Sequence, residues 1–261
     1  MNRNSQAVAL ATTLFVAAAA LPAPAQETTT STSSAYTSTT DLSDVRLFQS
    51  WAADAVFTPG VDLEPYFDWA TWGNFNTWSI GTRVAFWVRD GMEAGGRIAW
   101  AGASPDGGDG DSGFGDMDAH FRYRLPVEFA GDVAVGTEVR LPTGAPESGQ
   151  DNTFVRIFGA LRQDLGGAMT FTANLGFEYI ELFGDDGNGI AVGLGSIVPV
   201  SNDLAALFEL NLRTAVDYAA VSGGIDYELP PGGHLRGAAV VGLDDQAPDF
   251  GFQIALALPV F

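Results

Sequence analysis

The sequence predicts an all-β protein: a closed, antiparallel transmembrane β-barrel of about 12 strands, of the outer-membrane type. Apolar and polar residues alternate with a period of two over most of residues 64–261. The alternating segments are as long as a membrane-crossing strand requires. The arginines in these segments fall on the face opposite the apolar one, which is the arrangement expected of a barrel with a polar interior.

Composition excludes several classes of protein. The chain has 261 residues, a formal net charge of −20, 46% hydrophobic residues and no Cys. Without Cys there is no disulfide framework, thiolate metal site or cysteine nucleophile. All 12 basic residues are Arg against 32 acidic residues, so a basic footprint for nucleic acid is missing. The length fits one β-barrel domain.

The first 25 residues have the features of a secretory signal peptide. Arg3 supplies a positive start, residues 7–21 form an apolar stretch too short to cross a bilayer, and Ala23-Pro24-Ala25 offers a cleavage site. We therefore predict that residues 1–25 direct export and are removed.

Residues 26–63 are predicted to precede the barrel as a tether and a short helix. Eleven of the thirteen residues 28–40 are Ser or Thr, a composition that does not bury enough surface to fold. Ser43 then starts a predicted helix that ends near Ala55 and has one apolar stripe. Two interpretations remain open: this helix plugs a pore, or it is an ordered lead-in to the barrel.

Twelve alternating segments make up the predicted barrel. They span residues 64–72, 77–89, 92–102, 116–126, 132–142, 153–164, 168–180, 189–199, 203–213, 217–229, 234–243 and 249–261. Most are about 10–13 residues long, whereas a tilted strand needs about 9–11 residues to cross a bilayer. An even number of strands is also usual for bacterial outer-membrane barrels, with both termini in the periplasm.

The connections alternate in length, as this orientation requires. Asp90-Gly91, residues 165–167 and residues 230–233 are tight turns, whereas residues 103–115, 143–152 and 181–188 are longer and acidic. Short turns are expected on the periplasmic side and longer loops outside. The short connection near residues 214–216 departs from this rule.

The arginines indicate which face of each strand points inward. Ten of them are in the predicted strands, all opposite the denser apolar stripe: Arg83, Arg89, Arg97, Arg122, Arg124, Arg140, Arg156, Arg162, Arg213 and Arg236. An Arg on the lipid face costs about 2–4 kcal/mol at the bilayer midplane, so this face is predicted to line the lumen. Acidic residues share it.

The predicted lumen and permeation path is a set of arginines with interspersed acids. Its members are Arg83, Arg97, Arg122, Arg124, Arg140, Arg156, Arg162, Glu93, Asp118, Glu138, Glu178 and Glu209. Ladders of Arg–carboxylate pairs either fill the lumen and hold the barrel rigid, or line a water-filled path and select permeants by their field. Both interpretations remain open.

Several short motifs resemble an outer-membrane transporter family associated with the meta-pathway of phenol degradation. They are Gly113-Phe114-Gly115-Asp116, Arg122-Tyr123-Arg124-Leu125-Pro126, Leu141-Pro142-Thr143-Gly144 and Asn174-Leu175-Gly176-Phe177, within a likeness that covers about residues 60–261. The resemblance implies a membrane barrel that passes hydrophobic or aromatic compounds. The last strand departs from the usual pattern, since Phe261 is out of step with its apolar residues, and a bulge at Pro259 would explain the shift.

Signals for catalysis, cofactors and metals are weak. His120 and His234 are the only imidazoles and both are predicted to face inward, and no Gly-x-Ser-x-Gly elbow is present. The loop Asp106–Asp111 is rich in Asp and Gly but lacks the spacing and the closing Glu of an EF-hand. We therefore expect no enzyme activity, no cofactor and no metal site.

These observations predict an exported protein of the bacterial outer membrane that acts as a passive channel or transporter for small molecules. The expected partners are outer-membrane lipid, the barrel-assembly machinery and a small permeant, with no nucleic acid. The alternative is a non-conducting structural or surface barrel, and an outer-membrane hydrolase is a distant third.

Overall fold

A computed structural model describes residue 42 and residues 44–105, 108–144, 152–182, 185–230 and 232–260. The predicted signal peptide and the Ser/Thr-rich part of the tether lie outside these ranges. The described chain consists of β-strands, one short 3-10 helix and their connections.

Thirteen strands occur in the described residues. They are β1 (Val61–Trp72), β2 (Phe75–Arg89), β3 (Met92–Pro105), β4 (Asp111–Phe114), β5 (Met117–Arg124), β6 (Asp132–Leu141), β7 (Asn152–Asp164), β8 (Thr170–Leu182), β9 (Asp185–Pro199), β10 (Leu204–Arg213), β11 (Tyr218–Leu229), β12 (Gly233–Gly242) and β13 (Phe250–Val260). Strands β4 and β5 both pair with β3, at Trp100↔Phe114 and Arg97↔Asp118, so they form one strand interrupted at residues 115–116. The barrel thus has the 12 positions that the sequence predicts.

The sheet is antiparallel and closes on itself. With β4 and β5 counted as one position, each strand pairs with its neighbours in the chain, and β1 pairs with both β2 and β13, so the ladder closes. Among the described residues only the short β4 has a single partner, β3. Closure satisfies the backbone hydrogen bonds that an open edge would leave unpaired in lipid. The predicted barrel fold is confirmed.

Two details of register differ from the predictions. The β1–β13 pairing runs from Val61↔Val260 to Thr71↔Phe250 in constant register, so the predicted bulge at Pro259 is wrong. The irregularity lies instead between Trp87 and Arg89 in β2. Because of it, Arg89 is exposed at the strand end instead of facing inward, and its Nε donates to Met92 Sδ at 2.8 Å.

The outer surface of the barrel is apolar. Large hydrophobic side chains on most of the strands are exposed there, among them Ile80, Ile98, Phe121, Val135, Ile157, Leu175, Phe177, Phe208, Ile225, Leu235 and Ile254. A continuous surface of this kind would be unfavourable in water, and it matches the lipid-facing band of a membrane barrel. No helix among the described residues is long and apolar enough to span a membrane.

The inner face carries the polar residues that alternate with this band. In β8, for example, Thr172, Asn174 and Glu178 are buried, whereas Leu175 and Phe177 are exposed. Small residues such as Ala134, Ala191 and Ala220 occupy other inward positions. The interior therefore has polar walls and room for additional chain.

That room is occupied by the chain that precedes β1. Residues 44–59, here called the luminal segment, are mostly buried, and Leu47, Ala53 and Ala55 are each exposed by 1% or less. The predicted helix from Ser43 to Ala55 is wrong: only Trp51–Ala53 form a single 3-10 turn. The apolar side chains of the luminal segment pack on the barrel wall in two clusters, one around Leu47 and one around Phe57.

Candidate functional site

The luminal segment enters the barrel, turns near mid-lumen and returns. We call the barrel end that carries Val61 and Val260 the periplasmic end, after the predicted orientation. Leu42 and Asp44 lie near this end, where they contact Arg162 and His234. Residues 49–52 form the apex, and Phe57 is back at the periplasmic end beside Arg122 and Arg124.

Glu209 holds the ascending limb at the apex. Its carboxylate accepts backbone N–H groups from Phe48 at 2.6 Å, Gln49 at 3.2 Å and Ser50 at 3.2 Å. Three amides converge on one buried carboxylate, and such charge-assisted hydrogen bonds are among the strongest that proteins form. These amides are turned to the wall, which explains why this stretch does not form the intrahelical bonds of an α-helix.

A buried cluster around Glu93 fixes the lower part of the segment. The carboxylate of Glu93 accepts from Arg46 Nη2 at 2.9 Å and from Arg122, and His120 Nε2 lies 3.3 Å away. Arg122 also donates to the backbone carbonyl of Asp54 at 2.5 Å. Glu93 therefore links strands β3 and β5 to both limbs of the segment.

The two limbs are also linked to each other. Leu47 N donates to Asp54 Oδ2 at 3.2 Å, and Arg162 bridges from the wall to the same carboxylate at 3.2 Å and to the Leu42 carbonyl. The side chains of Arg46 and Arg83 lie 5.1 and 5.8 Å from the Trp51 ring. Such cation–π contacts add to the ion pairs in a partly desolvated site. The segment is anchored at its base, its middle and its apex.

A second buried network lies at the periplasmic end, on strands β1, β2, β11 and β12. Glu64 accepts from Arg83 at 2.7 Å and from Arg236 at 2.6 Å. Arg236 also pairs with Asp226, which bonds His234 Nδ1 at 2.6 Å. The network therefore links the side chains of four wall strands at the periplasmic end.

Asp44 joins this network from the luminal segment, 3.2 Å from His234 Nε2. Burial alone would raise the pKa of the Asp44 carboxyl, but the hydrogen bond and charge of His234 outweigh burial and lower it. Because Asp44 stays ionised at neutral pH, it ties the base of the segment to strand β12.

Above the apex, four arginines on the inner wall pair with carboxylates. Asp118 lies between Arg97 and Arg140, with Arg140 Nε at 2.6 Å. Arg156 pairs with Glu138 at 2.5 Å, and Arg213 with Glu178 at 3.0 Å. The pairs connect neighbouring strands, except that Arg213 reaches from β10 across β9 to Glu178 on β8.

Cavities lie on both sides of the luminal segment. Two adjoining cavities of about 160 and 380 Å³ lie above it, and we call them together the outer chamber. Phe48 and Gln49 line both, as do Arg97, Arg156 and Arg213. A third cavity of about 890 Å³ lies at the periplasmic end, against Phe57 and the connection formed by residues 125–131. The segment separates the two spaces.

All twelve residues predicted to line the lumen lie on the inner face, but they form several separate groups. The outer chamber holds Arg97, Arg140, Arg156, Asp118, Glu138 and, behind Arg213, Glu178. Four others bind the luminal segment: Glu93, Arg122, Arg162 and Glu209. Arg83 lines the outer chamber and also pairs with Glu64 in the network at the periplasmic end. Arg124 lies at the periplasmic mouth beside Asp132.

Four residues outside the predicted set are as important to this arrangement. They are Arg46, Asp54, Glu64 and Arg236. Strand alternation already placed Arg236 on the inner face, and Glu64 is the first residue of the first predicted strand. Arg46 and Asp54 precede the barrel, and no periodic pattern in the sequence marks them as luminal.

Metal-ligand clusters are not found among the described residues. Asp106 and Gly107 of the Asp-rich loop lie outside the described residues.

Comparison with known proteins agrees with the fold. No protein-family model and no curated protein matches the chain. Among solved structures, an outer membrane channel from Pseudomonas putida F1 is similar with a TM-score of 0.64 and 11% identity, covering 77% of this chain and 96% of that one. The KdgM porin in complex with disordered oligogalacturonate has a TM-score of 0.58 and 7% identity, covering 77% and 99%. The NanC porin has a TM-score of 0.54 and 11% identity, covering 77% and 100%.

At these identities the likeness establishes the fold. Together with the apolar outer band, it defines the class of protein: an outer-membrane β-barrel.

Proposed function

We propose that the protein is a passive outer-membrane channel for small molecules, in which the luminal segment restricts passage. The observation that carries this proposal is the presence of cavities on both sides of a segment that polar contacts anchor at its base, middle and apex. Structural neighbours that are channels and porins support it.

The polar anchoring of the segment favours a movable restriction over a permanent core. Glu209, Glu93, Arg162 and His234 hold it through hydrogen bonds and ion pairs, for which water can substitute when the segment moves. The resemblance noted above extends the proposal to hydrophobic or aromatic permeants. The alternative, a sealed barrel, requires that the segment never leaves the lumen.

A reversible disulfide tests the role of the segment directly. A Cβ built on Gly193 would lie 2.7 Å from Ser50 Oγ, which is within the reach of a disulfide between Ser50→Cys and Gly193→Cys once the Asn174 amide has rotated. The chain has no other cysteine to interfere. In planar bilayers we expect the parent to conduct, the oxidised double variant to conduct less, and reduction to restore the current.

The controls separate the two functions. Ser50→Cys alone should be insensitive to the redox change. A chain that lacks residues 26–57 should conduct more than the parent, because the obstruction is gone. If neither the parent, the reduced double variant nor the shortened chain conducts at any voltage, the channel proposal is wrong and the sealed barrel takes its place.

A further inference from the structure

Glu209 is a buried carboxylate whose charge is met by peptide N–H groups. Its side chain belongs to a residue that is 4% exposed, and in the described part of the chain no guanidinium or imidazole group pairs with it. The N–H groups of residues 48–50 take the place of such a partner. A buried charge without compensation is costly, so this carboxylate depends on the donors that the luminal segment supplies. This position of the wall is therefore suited to a peptide backbone.

Two wall arginines bind carbonyl groups of the same backbone. Arg122 Nη1 donates to the Asp54 carbonyl at 2.5 Å, and Arg162 donates to the Leu42 carbonyl. The wall thus offers a carboxylate to peptide N–H groups and guanidinium groups to peptide carbonyls. Every residue of a peptide carries a carbonyl, and every residue except Pro carries an N–H, so contacts of this kind accept many sequences.

Glycines of the wall make room for the side chains of the ascending limb. A Cβ built on Gly195 would lie 2.8 Å from Leu47 Cδ1, and one built on Gly224 would lie 2.9 Å from Phe48 Cε2, which is too close for real side chains. The Phe48 ring packs among buried apolar wall residues, with the Arg236 guanidinium 4.7 Å from its centre. The wall therefore forms a groove with a pocket for an apolar side chain.

The luminal segment is a hairpin whose two ends lie at the same end of the barrel. Asp44 and Phe57 are at the periplasmic end, and the apex lines the outer chamber. Withdrawal toward the periplasm therefore requires no chain end to pass through the lumen. Residues 58–60 connect the segment to β1, and Pro59 and Gly60 are exposed. A link this short gives the segment an effective concentration of about millimolar at the wall, which is enough to retain a ligand of modest affinity.

We propose that the lumen is a binding site for extended peptides and that the luminal segment is its tethered ligand. The peptide backbone binds Glu209, Arg122 and Arg162. An arginine side chain binds Glu93, and an apolar side chain two residues further on fills the pocket of Phe48. This inference rests on the proposed function, because it names the ligand class of the site that restricts passage. A free peptide of this kind, presented at the periplasmic end, competes with the segment for the same groups.

A cut in the connection tests whether the segment binds without its covalent link. A specific protease site inserted between Pro59 and Gly60 allows cleavage after the full chain has folded in detergent. A synthetic peptide of residues 42–59 with a fluorophore at its amino end is the probe. We expect saturable binding to the cut protein, read from fluorescence anisotropy, and displacement by the unlabelled peptide. The uncut protein should bind the probe at least about tenfold more weakly, because its own segment competes at high effective concentration.

Ester substitution in the peptide tests recognition of the backbone. An ester oxygen in place of the N–H of Gln49 and of Ser50 removes two donors to Glu209 and keeps every side chain. We expect at least about tenfold weaker binding. The peptide with Gln49→Ala is the matched control, since it keeps these N–H groups and loses the contact with Tyr218. Its loss should be smaller, about threefold.

Glu209→Gln is the corresponding change in the wall. A neutral amide binds peptide N–H groups less strongly than a carboxylate does, so we expect about tenfold weaker binding of the probe to the cut variant. Glu228→Gln is the control, and its affinity for the probe should match that of the parent. Migration on cold SDS gels shows whether each cut barrel is still folded.

The inference is overturned if the cut protein binds no probe, if it binds a peptide of scrambled sequence equally well, or if the ester peptide binds as tightly as the amide. An unchanged affinity in Glu209→Gln also overturns it. Binding is measured without current, so the two proposals fail separately. Peptide binding in a protein that never conducts refutes the channel alone, whereas conductance without peptide binding refutes the peptide site alone.

Discussion

Glu93 shows how single charges determine the stability of the lumen. It is fully buried between Arg46 and Arg122, with His120 beside it. Replacing a buried ion pair with apolar groups often costs little, but removal of one partner leaves the other charge buried without compensation. Glu93 has two such partners, and its negative charge compensates the buried guanidinium groups of Arg46 and Arg122.

Glu93→Gln should therefore destabilise the barrel by about 3–5 kcal/mol, because it leaves the buried Arg122 guanidinium without its carboxylate and leaves Arg46 with Asp62 alone. Urea unfolding in detergent measures the change. Asp132→Asn is the control, since the Asp132–Arg124 pair is exposed and such pairs contribute about 0–1 kcal/mol. Equal losses for the two variants would contradict the role given to Glu93.

At the scale of elements, the luminal segment depends on the wall for its conformation. Its Phe48–Ser50 amides bind Glu209, and its Gln49 side chain accepts from Tyr218 at 3.0 Å. Apart from the turn at Trp51–Ala53, it has no regular structure of its own. The segment is therefore held by contacts that one wall residue can weaken.

Glu209→Gln should loosen the apex and leave the barrel folded. A neutral amide has one acceptor oxygen in place of a two-oxygen carboxylate, and each charge-assisted bond is worth about 1.5–3 kcal/mol. We expect the amides of Phe48 to Ser50 to exchange hydrogen at least about tenfold faster, with a rise in bilayer conductance.

Glu228→Gln is the matched control on β11, since Glu228 makes no hydrogen bond or ion pair with the luminal segment among the contacts that the structure describes. Unchanged exchange at the apex in Glu209→Gln would show that the apolar clusters, and not Glu209, hold the segment.

At the scale of the whole molecule, the closed ladder and the apolar band define a barrel that is inverted relative to a soluble one. Apart from the short strand β4, every strand of the described residues pairs on both sides, and hydrophobic residues face outward while charged residues face the lumen. Neighbouring residues of one strand therefore differ in their surroundings more than distant residues on one face do.

Ile254 and Gln253, adjacent in β13, provide a matched test of these faces. Ile254 is exposed on the lipid side, so Ile254→Arg should destabilise the folded barrel in bilayers by about 2–4 kcal/mol. Gln253→Arg places the same charge inside, opposite Asp68 in the β1–β13 pairing, and should assemble normally. Refolding yield in liposomes measures both, and equal yields would mean that the faces are assigned incorrectly.

The continuous ladder also predicts behaviour in detergent. Unheated protein in SDS should migrate differently from boiled protein, because a closed barrel without an open edge in its membrane-crossing strands resists unfolding. Gel electrophoresis with and without boiling is the measurement. A mature protein that purifies as a soluble monomer without detergent would contradict the membrane barrel.

The sequence by itself determined the number of strands, their faces and the inward position of nine of the ten strand arginines. This is possible because strand alternation is a local property, repeated every two residues and enforced by the cost of charge in lipid. The exception, Arg89, depends on a register irregularity in the β2–β3 pairing, which alternation does not encode.

Only the tertiary structure decided what the lumen contains and which charges meet there. Residues 44–59 carry both apolar and polar side chains, since they pack on a wall that is itself mixed, and that composition resembles an amphipathic helix in the sequence. Glu209 and Phe48 are 161 residues apart, and Arg46 and Glu93 are 47 apart. Such partners are set by barrel closure and by the path of the segment through it, and both arise from contacts between distant parts of the chain.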